Sequence, residues 1–148
     1  MMTNAPSRLL LAVLLAVAVP AVQAQGLPRT AAPANASVYL ISPANGATVK
    51  GPQVTVVFGL KGMGISPAGM KMDSTGHHHL LIDSELPADL SQPIPANDNS
   101  VHFGKGQTET TITLKPGKHT LQLLLGDHLH VPFNPVLASD KITITVTE

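Results

Sequence analysis

Lys141-Ile-Thr-Ile-Thr-Val-Thr147 alternates apolar and hydroxyl side chains without a break, the pattern of a strand with one face in a core and the other in water. Working back from it, Val54, Val56, Phe58 and Leu60 share one face of an earlier strand, with Thr55, Val57 and Gly59 on the other. Further strands are expected around Val38 to Leu40, at Thr48-Val49, His78 to Asp83, Thr110 to Leu114 and Lys118 to Gly126. Turn residues punctuate them at Ser42-Pro-Ala-Asn-Gly46 and Lys115-Pro-Gly117. No longer window keeps a helical stripe, so the expectation is an all-β, immunoglobulin-like sandwich of about seven strands, lettered A, A′, B, C, E, F and G. Two connections exceed a simple hairpin: Lys61 to Gly76, which holds Met63, Met70 and Met72, and Ser84 to Gly106, which holds His102. Long loops in a compact domain are usually functional or disordered, and the composition of these favours function.

At the other end, Arg8 precedes an apolar run from Leu9 to Val19, then Pro20 and the small-residue pattern Val22-Gln-Ala24. This predicts a secretory signal peptide over residues 1–24, because the run is about half of the roughly 20 residues a spanning helix requires. Residues 25–36, rich in Ala and Pro, read as a linker, and residues 37–148 as one domain. The expected location is periplasmic or secreted, with no membrane span after cleavage.

Composition narrows the function. Nine Lys plus Arg balance nine Asp plus Glu, so no basic excess is present to neutralise phosphates and nucleic-acid binding is not expected. The chain has no cysteine, which removes disulfides, thiolate ligands, cysteine nucleophiles and a cysteine lipid anchor together. Hydroxyls beside histidines lack a strand-turn-helix setting, and the loop acids lack a visible enclosing pocket, so an enzyme is not the expectation. Protein or glycan recognition through the loops is weakened by the scarcity of aromatic anchors, one Tyr and three Phe with no Trp.

Seven histidines stand out against this background. If Leu80 and Ile82 face the core, so does His78, while His77, His79 and Leu81 take the outer face. Alternate strand residues lie about 6.5 to 7 Å apart, near enough for two imidazoles to share an ion. Asp127-His-Leu-His130 repeats that spacing just beyond strand F, and strands C and F are antiparallel neighbours in such a sandwich. The fold therefore brings His77, His79, His128 and His130 to one edge, with His102 able to join from its loop or to hydrogen-bond the loop backbone. Asp127, Met63, Met70, Met72 and His78 are possible auxiliaries. His78 reads better as a buried, hydrogen-bonded residue, the methionines alone as gap fillers, and His119, in the Pro-Gly-x-His turn, as structural.

The stretches Gly76-His-His-His-Leu-Leu-Ile-Asp83, His102-Phe-Gly-Lys-Gly-Gln-Thr-Glu109 and His119 to Pro132, together with Phe58-Gly-Leu-Lys-Gly-Met-Gly64, resemble a bacterial family catalogued as domain of unknown function 4399. The resemblance covers roughly Val38 to Val146 and implies a small exported all-β domain without naming a substrate or ion. The family pattern often has a histidine where this chain has Phe133, which implies a dispensable position or one ligand fewer here.

The resulting expectation is an exported metal-binding protein, a carrier or buffer, with copper ahead of zinc: imidazole suits both, and nearby thioethers suit Cu(I). The alternative is a metal-free structural or interaction module of the envelope whose histidines order the long loops.

Overall fold

The computed structural model describes residues 26–148; the expected signal peptide lies outside the described residues. Nine strands follow in chain order: β1 Ser37–Ser42, β2 Thr48–Lys50, β3 Gln53–Lys61, β4 Gly64–Ile65, β5 Thr75–Ile82, β6 Ser100–His102, β7 Glu109–Thr113, β8 Gly117–Gly126 and β9 Ile142–Thr147. They form a three-stranded sheet, β1-β3-β7, and a six-stranded sheet, β2-β9-β8-β5-β4, in which β6 also pairs with β5. The fold is an all-β immunoglobulin-like sandwich. The seven lettered strands are β1, β2, β3, β5, β7, β8 and β9, each within a few residues of its expected place. No helix among the described residues is long and apolar enough to cross a membrane.

The core lies where the period of two puts it. Val54, Val56 and Phe58 of β3 meet Leu80 and Ile82 of β5, Leu121, Leu123 and Leu125 of β8, and Ile142, Ile144 and Val146 of β9. Burying a side chain of this kind contributes about 1.5 to 3 kcal/mol, which fixes the register of β5 and β8.

The two additional strands arise inside the long loops and share one cause. On the side away from β8, β5 would be an open sheet edge, with unpaired backbone groups. Instead β4 pairs in parallel with its start, Gly64 opposite Thr75 and Ile65 opposite Gly76. β6 pairs antiparallel further along, with His102 opposite His79 and Val101 opposite Leu80. The outer face of β5 is covered as well: Leu81, Ile94 and Leu124 form a small second core, with Leu86, Val136 and Ala138 against it. Every residue from Gly76 to Ile82 is consequently buried. The face expected to carry surface histidines is a second interior.

Residues 26–36, read as a linker, lie along the domain. Ala31 bridges to Asn134, the Arg29 guanidinium donates to the carbonyls of Pro132 and Phe133, and the Thr30 hydroxyl donates to Asp127 Oδ2 at 2.6 Å.

Candidate metal centre

The antiparallel pairing of β5 with β8 sets His77 opposite Gly126 and His79 opposite Leu124. Gly126 has a steric reason: a Cβ there would stand 3.0 Å from His79 Cε1 and 3.2 Å from Ile94 Cδ1. The His79 imidazole and the Ile94 side chain occupy the room that a side chain would take. β6 delivers His102 directly across from His79.

His130 arrives by a different route. Beyond β8 the chain does not continue as a strand, because the Asp127 carboxylate turns it. Its Oδ1 accepts from the backbone N–H of Leu129 at 2.8 Å and of Val131 at 3.0 Å, while the Asp127 carbonyl accepts from the N–H of His130 at 2.9 Å. His130 takes a φ of +67°, in the left-handed region that non-glycine residues rarely enter. The Ile94 N–H donates to the His130 carbonyl at 2.9 Å, tying the covering loop to the turn.

Four rings converge. The centroid of His77 lies 4.9 Å from His79, 5.0 Å from His102 and 4.9 Å from His130. His102 lies 5.0 Å from His79 and 4.8 Å from His130, and the longest separation, His79 to His130, is 6.2 Å. An ion about 2 Å from one nitrogen of a ring lies about 3 Å from its centroid, so four rings placed tetrahedrally around it have centroids about 5 Å apart. Five of the six separations meet that value. One nitrogen each from His77, His79 and His102 also lies within 4.8 Å of the others. Nitrogens sharing one ion sit about 3.3 Å apart, so a shared ion would draw these rings inward by up to about 1 Å.

Burial disfavours the charged form of three of these rings, His77, His79 and His102. Burial pushes the His77 imidazolium down to about 4, helped by His130 and His102 and opposed by the Asp127 carboxylate. Burial pushes His79 down to about 2, reinforced by His77, His102 and His130. His102 is lowered too, by burial and then by His130. A neutral imidazole retains the lone pair a metal needs. Both ring nitrogens of His77 and of His79, and Nε2 of His102, are buried without a protein hydrogen-bond partner. Each such group costs about 1 to 3 kcal/mol when nothing replaces the water it has lost.

The remaining sequence candidates lie elsewhere. His128 was expected at the same edge as His130, just beyond strand F, but the Asp127 turn separates them. It is half-buried in a cleft with Met70 and Met72, and its carbonyl accepts from Gly69. Asp127 is engaged by Thr30, Leu129 and Val131, so it organises the turn. Met63 packs against the main core. His78 faces that core as expected, 5.1 Å from the Phe58 ring. The expected hydrogen bond is absent: neither of its ring nitrogens has a protein partner. His119 has the structural role, with Nδ1 2.7 Å from Asp83 Oδ2 and Nε2 2.8 Å from the Lys115 carbonyl. Phe133 is buried in the core. Two glycines escaped the sequence reading, Gly126 and Gly104. A Cβ on Gly104 would stand 2.3 Å from His102 Cε1. Each lies two residues from a histidine in sequence, which was the available signal.

A protein-family model described as "Domain of unknown function (DUF4399)" matches residues 56–147, which contain all four converging histidines. The chain belongs to this family. A search of curated proteins gives no match. Among solved structures, the chain is similar to an engineered protein at 14% identity and a TM-score of 0.47, over 79% of this chain and 21% of that one. Fibronectin(III)-like modules of Clostridium thermocellum CbhA align at 13% identity and a TM-score of 0.42, over 76% of this chain and 45% of that one. The chain thus spans less than half the length of either neighbour.

Proposed function

We propose that this DUF4399 protein binds one transition-metal ion through His77, His79 and His102, with His130 as fourth ligand, and serves as an exported metal carrier or buffer. The observation that carries the reading is the convergence of neutral, buried imidazoles whose ring nitrogens lack protein partners. An ion satisfies such nitrogens, and four protein ligands form a closed sphere without the open position that metal-assisted catalysis requires. This supports binding over an enzymatic role. Export rests on the signal-like leader of the sequence.

Copper is the proposed ion. For an all-nitrogen site, affinity among the divalent first-row metals peaks at Cu(II), ahead of zinc. Zinc is the second reading, favoured by the near-tetrahedral spread of the rings. Competition titrations of Cu(II) and Zn(II) against a chromophoric chelator test both. The expected result is one ion per chain at micromolar affinity or tighter, weakened about tenfold or more in His79→Ala and in His102→Ala but unchanged in His128→Ala. Absence of micromolar binding, or equal binding in the first two variants, sinks the proposal. The metal-free alternative predicts a melting temperature indifferent to chelator.

A further inference from the structure

We infer that the cleft holding Met70, Met72 and His128 is a second metal site, selective for a soft monovalent ion of the Cu(I) class. It stands independently of the histidine cluster, whose four rings do not line this cleft.

Methionine placement provides the first observation. Met63, in the same loop, is partly buried and packed on the core, as a gap-filling methionine should be. Met70 and Met72 are 50% and 54% exposed, so neither fills a gap. Both residues instead line a cleft of about 300 Å³ that Asp127 and His128 also line.

The second observation is that the loop is held in place. Its backbone N–H groups at Ser66, Ala68 and Gly69 donate to the carbonyls of Gly76, Gly104 and His128 at 2.9, 3.0 and 3.1 Å. The Thr75 hydroxyl donates to the Met72 carbonyl at 2.9 Å. The hydrogen bond between Gly69 and His128 places Met70 next in chain to a residue fastened to the histidine's own backbone. These bonds hold the backbone of the loop that carries Met70 and Met72 against His128.

The chemistry follows from ligand softness. Thioether sulfur and imidazole nitrogen, without cysteine, are donors that favour Cu(I) over the hard divalent ions. Asp73 and Asp127 on the same cleft outnumber its one cation, Lys71, which gives the cleft acidic character suited to a cation.

The test uses Ag(I), a redox-inert probe of the same class, with ¹³C NMR of the methionine ε-methyl groups, followed by anaerobic Cu(I) competition against a chromophoric chelator. One equivalent of Ag(I) should shift the Met70 and Met72 methyls and leave Met63 in place. Cu(I) affinity at this site should fall on the order of 100-fold in M70L/M72L, whose exposed side chains are replaced without disturbing the core. Divalent binding at the cluster should persist in that variant, and the Ag(I) response should persist in His79→Ala/His102→Ala, so failure of either site is read separately. Unshifted Met70 and Met72 methyls, a response confined to Met63, or Cu(I) binding unaltered in M70L/M72L would overturn the inference.

Discussion

Replacing His78 by leucine should stabilise the protein, and more so in acid. His78 is 1% exposed, neither ring nitrogen has a protein partner, and its ring packs on Phe58. Leucine has similar bulk. Removing unpartnered buried nitrogens gains about 1 to 3 kcal/mol, and reshaping the contact with Phe58 costs below about 1.5 kcal/mol, which leaves a net gain of about 1 kcal/mol at pH 7.5. Burial also pushes the His78 imidazolium from 6.5 down to about 4. Below pH 6.5 the unfolded chain therefore binds the proton that the folded chain refuses, and wild-type stability falls until about pH 4 is reached. At pH 5 that loss amounts to about 2 kcal/mol from this residue alone. His78→Leu lacks it, so the difference between variant and wild type should widen from about 1 kcal/mol at pH 7.5 to about 3 kcal/mol at pH 5. Urea unfolding followed by far-ultraviolet circular dichroism measures this, since the chain has no tryptophan to report. Chelator should be present throughout, to keep metal linkage out of the comparison. A variant less stable than wild type at pH 7.5, or a difference that stays constant between the two pH values, would refute the reasoning.

Gly104→Ala should weaken metal binding without removing a ligand. The new Cβ would stand 2.3 Å from Cε1 and 2.7 Å from Nε2 of His102, so that ring must swing from its place; competition titration should show about a tenfold loss or more. His119→Gln should matter most in mild acid. The hydrogen bond to Asp83 raises the His119 pKa, so its stabilisation is complete below the unfolded value of 6.5 and disappears as pH rises through the folded one. Because Asp83 is 42% exposed, screening limits the cost of the variant to about 0.5 to 1 kcal/mol at pH 5.5, shrinking by pH 8.5. Denaturant midpoints at the two values check both size and sign.

Strand parity was legible in the sequence and carried much of the site. Alternation placed His77 and His79 together and His78 in the core, because His78 shares the parity of Leu80 and Ile82, which enter the main core. The pairing of C with F then followed from the sandwich itself. Contacts distant in sequence decided the rest of the site. Extending the i, i+2 rule to His128 and His130 failed because the Asp127 carboxylate captures backbone N–H groups that a strand would have used. The three residues of β6 carry too short a pattern to announce a strand, yet they set His102 across from His79. Burial of the outer face was equally hidden, since its cover comes from Ile94 in a loop that sequence alone leaves unplaced.

These failures have a common physical root, and it bears on how folding and ion binding are linked. The imidazoles meet because a glycine lies opposite His77, because β6 closes the edge of β5, and because the Asp127 turn redirects His130. Each device exists only in the folded chain, so the unfolded chain has no comparable site. The cluster opposes folding while its nitrogens lack partners. With His77 at about 4 and His79 at about 2, it also makes the metal-free fold lose stability as pH falls below the unfolded histidine value of 6.5. An ion bound only by the folded state reverses the first effect in proportion to its concentration over its dissociation constant, and competes with protons for the same lone pairs. With an ion held there as proposed, the protein would be most stable when loaded and least stable when metal-free and acidified, so that ion content and fold stability would report on one another.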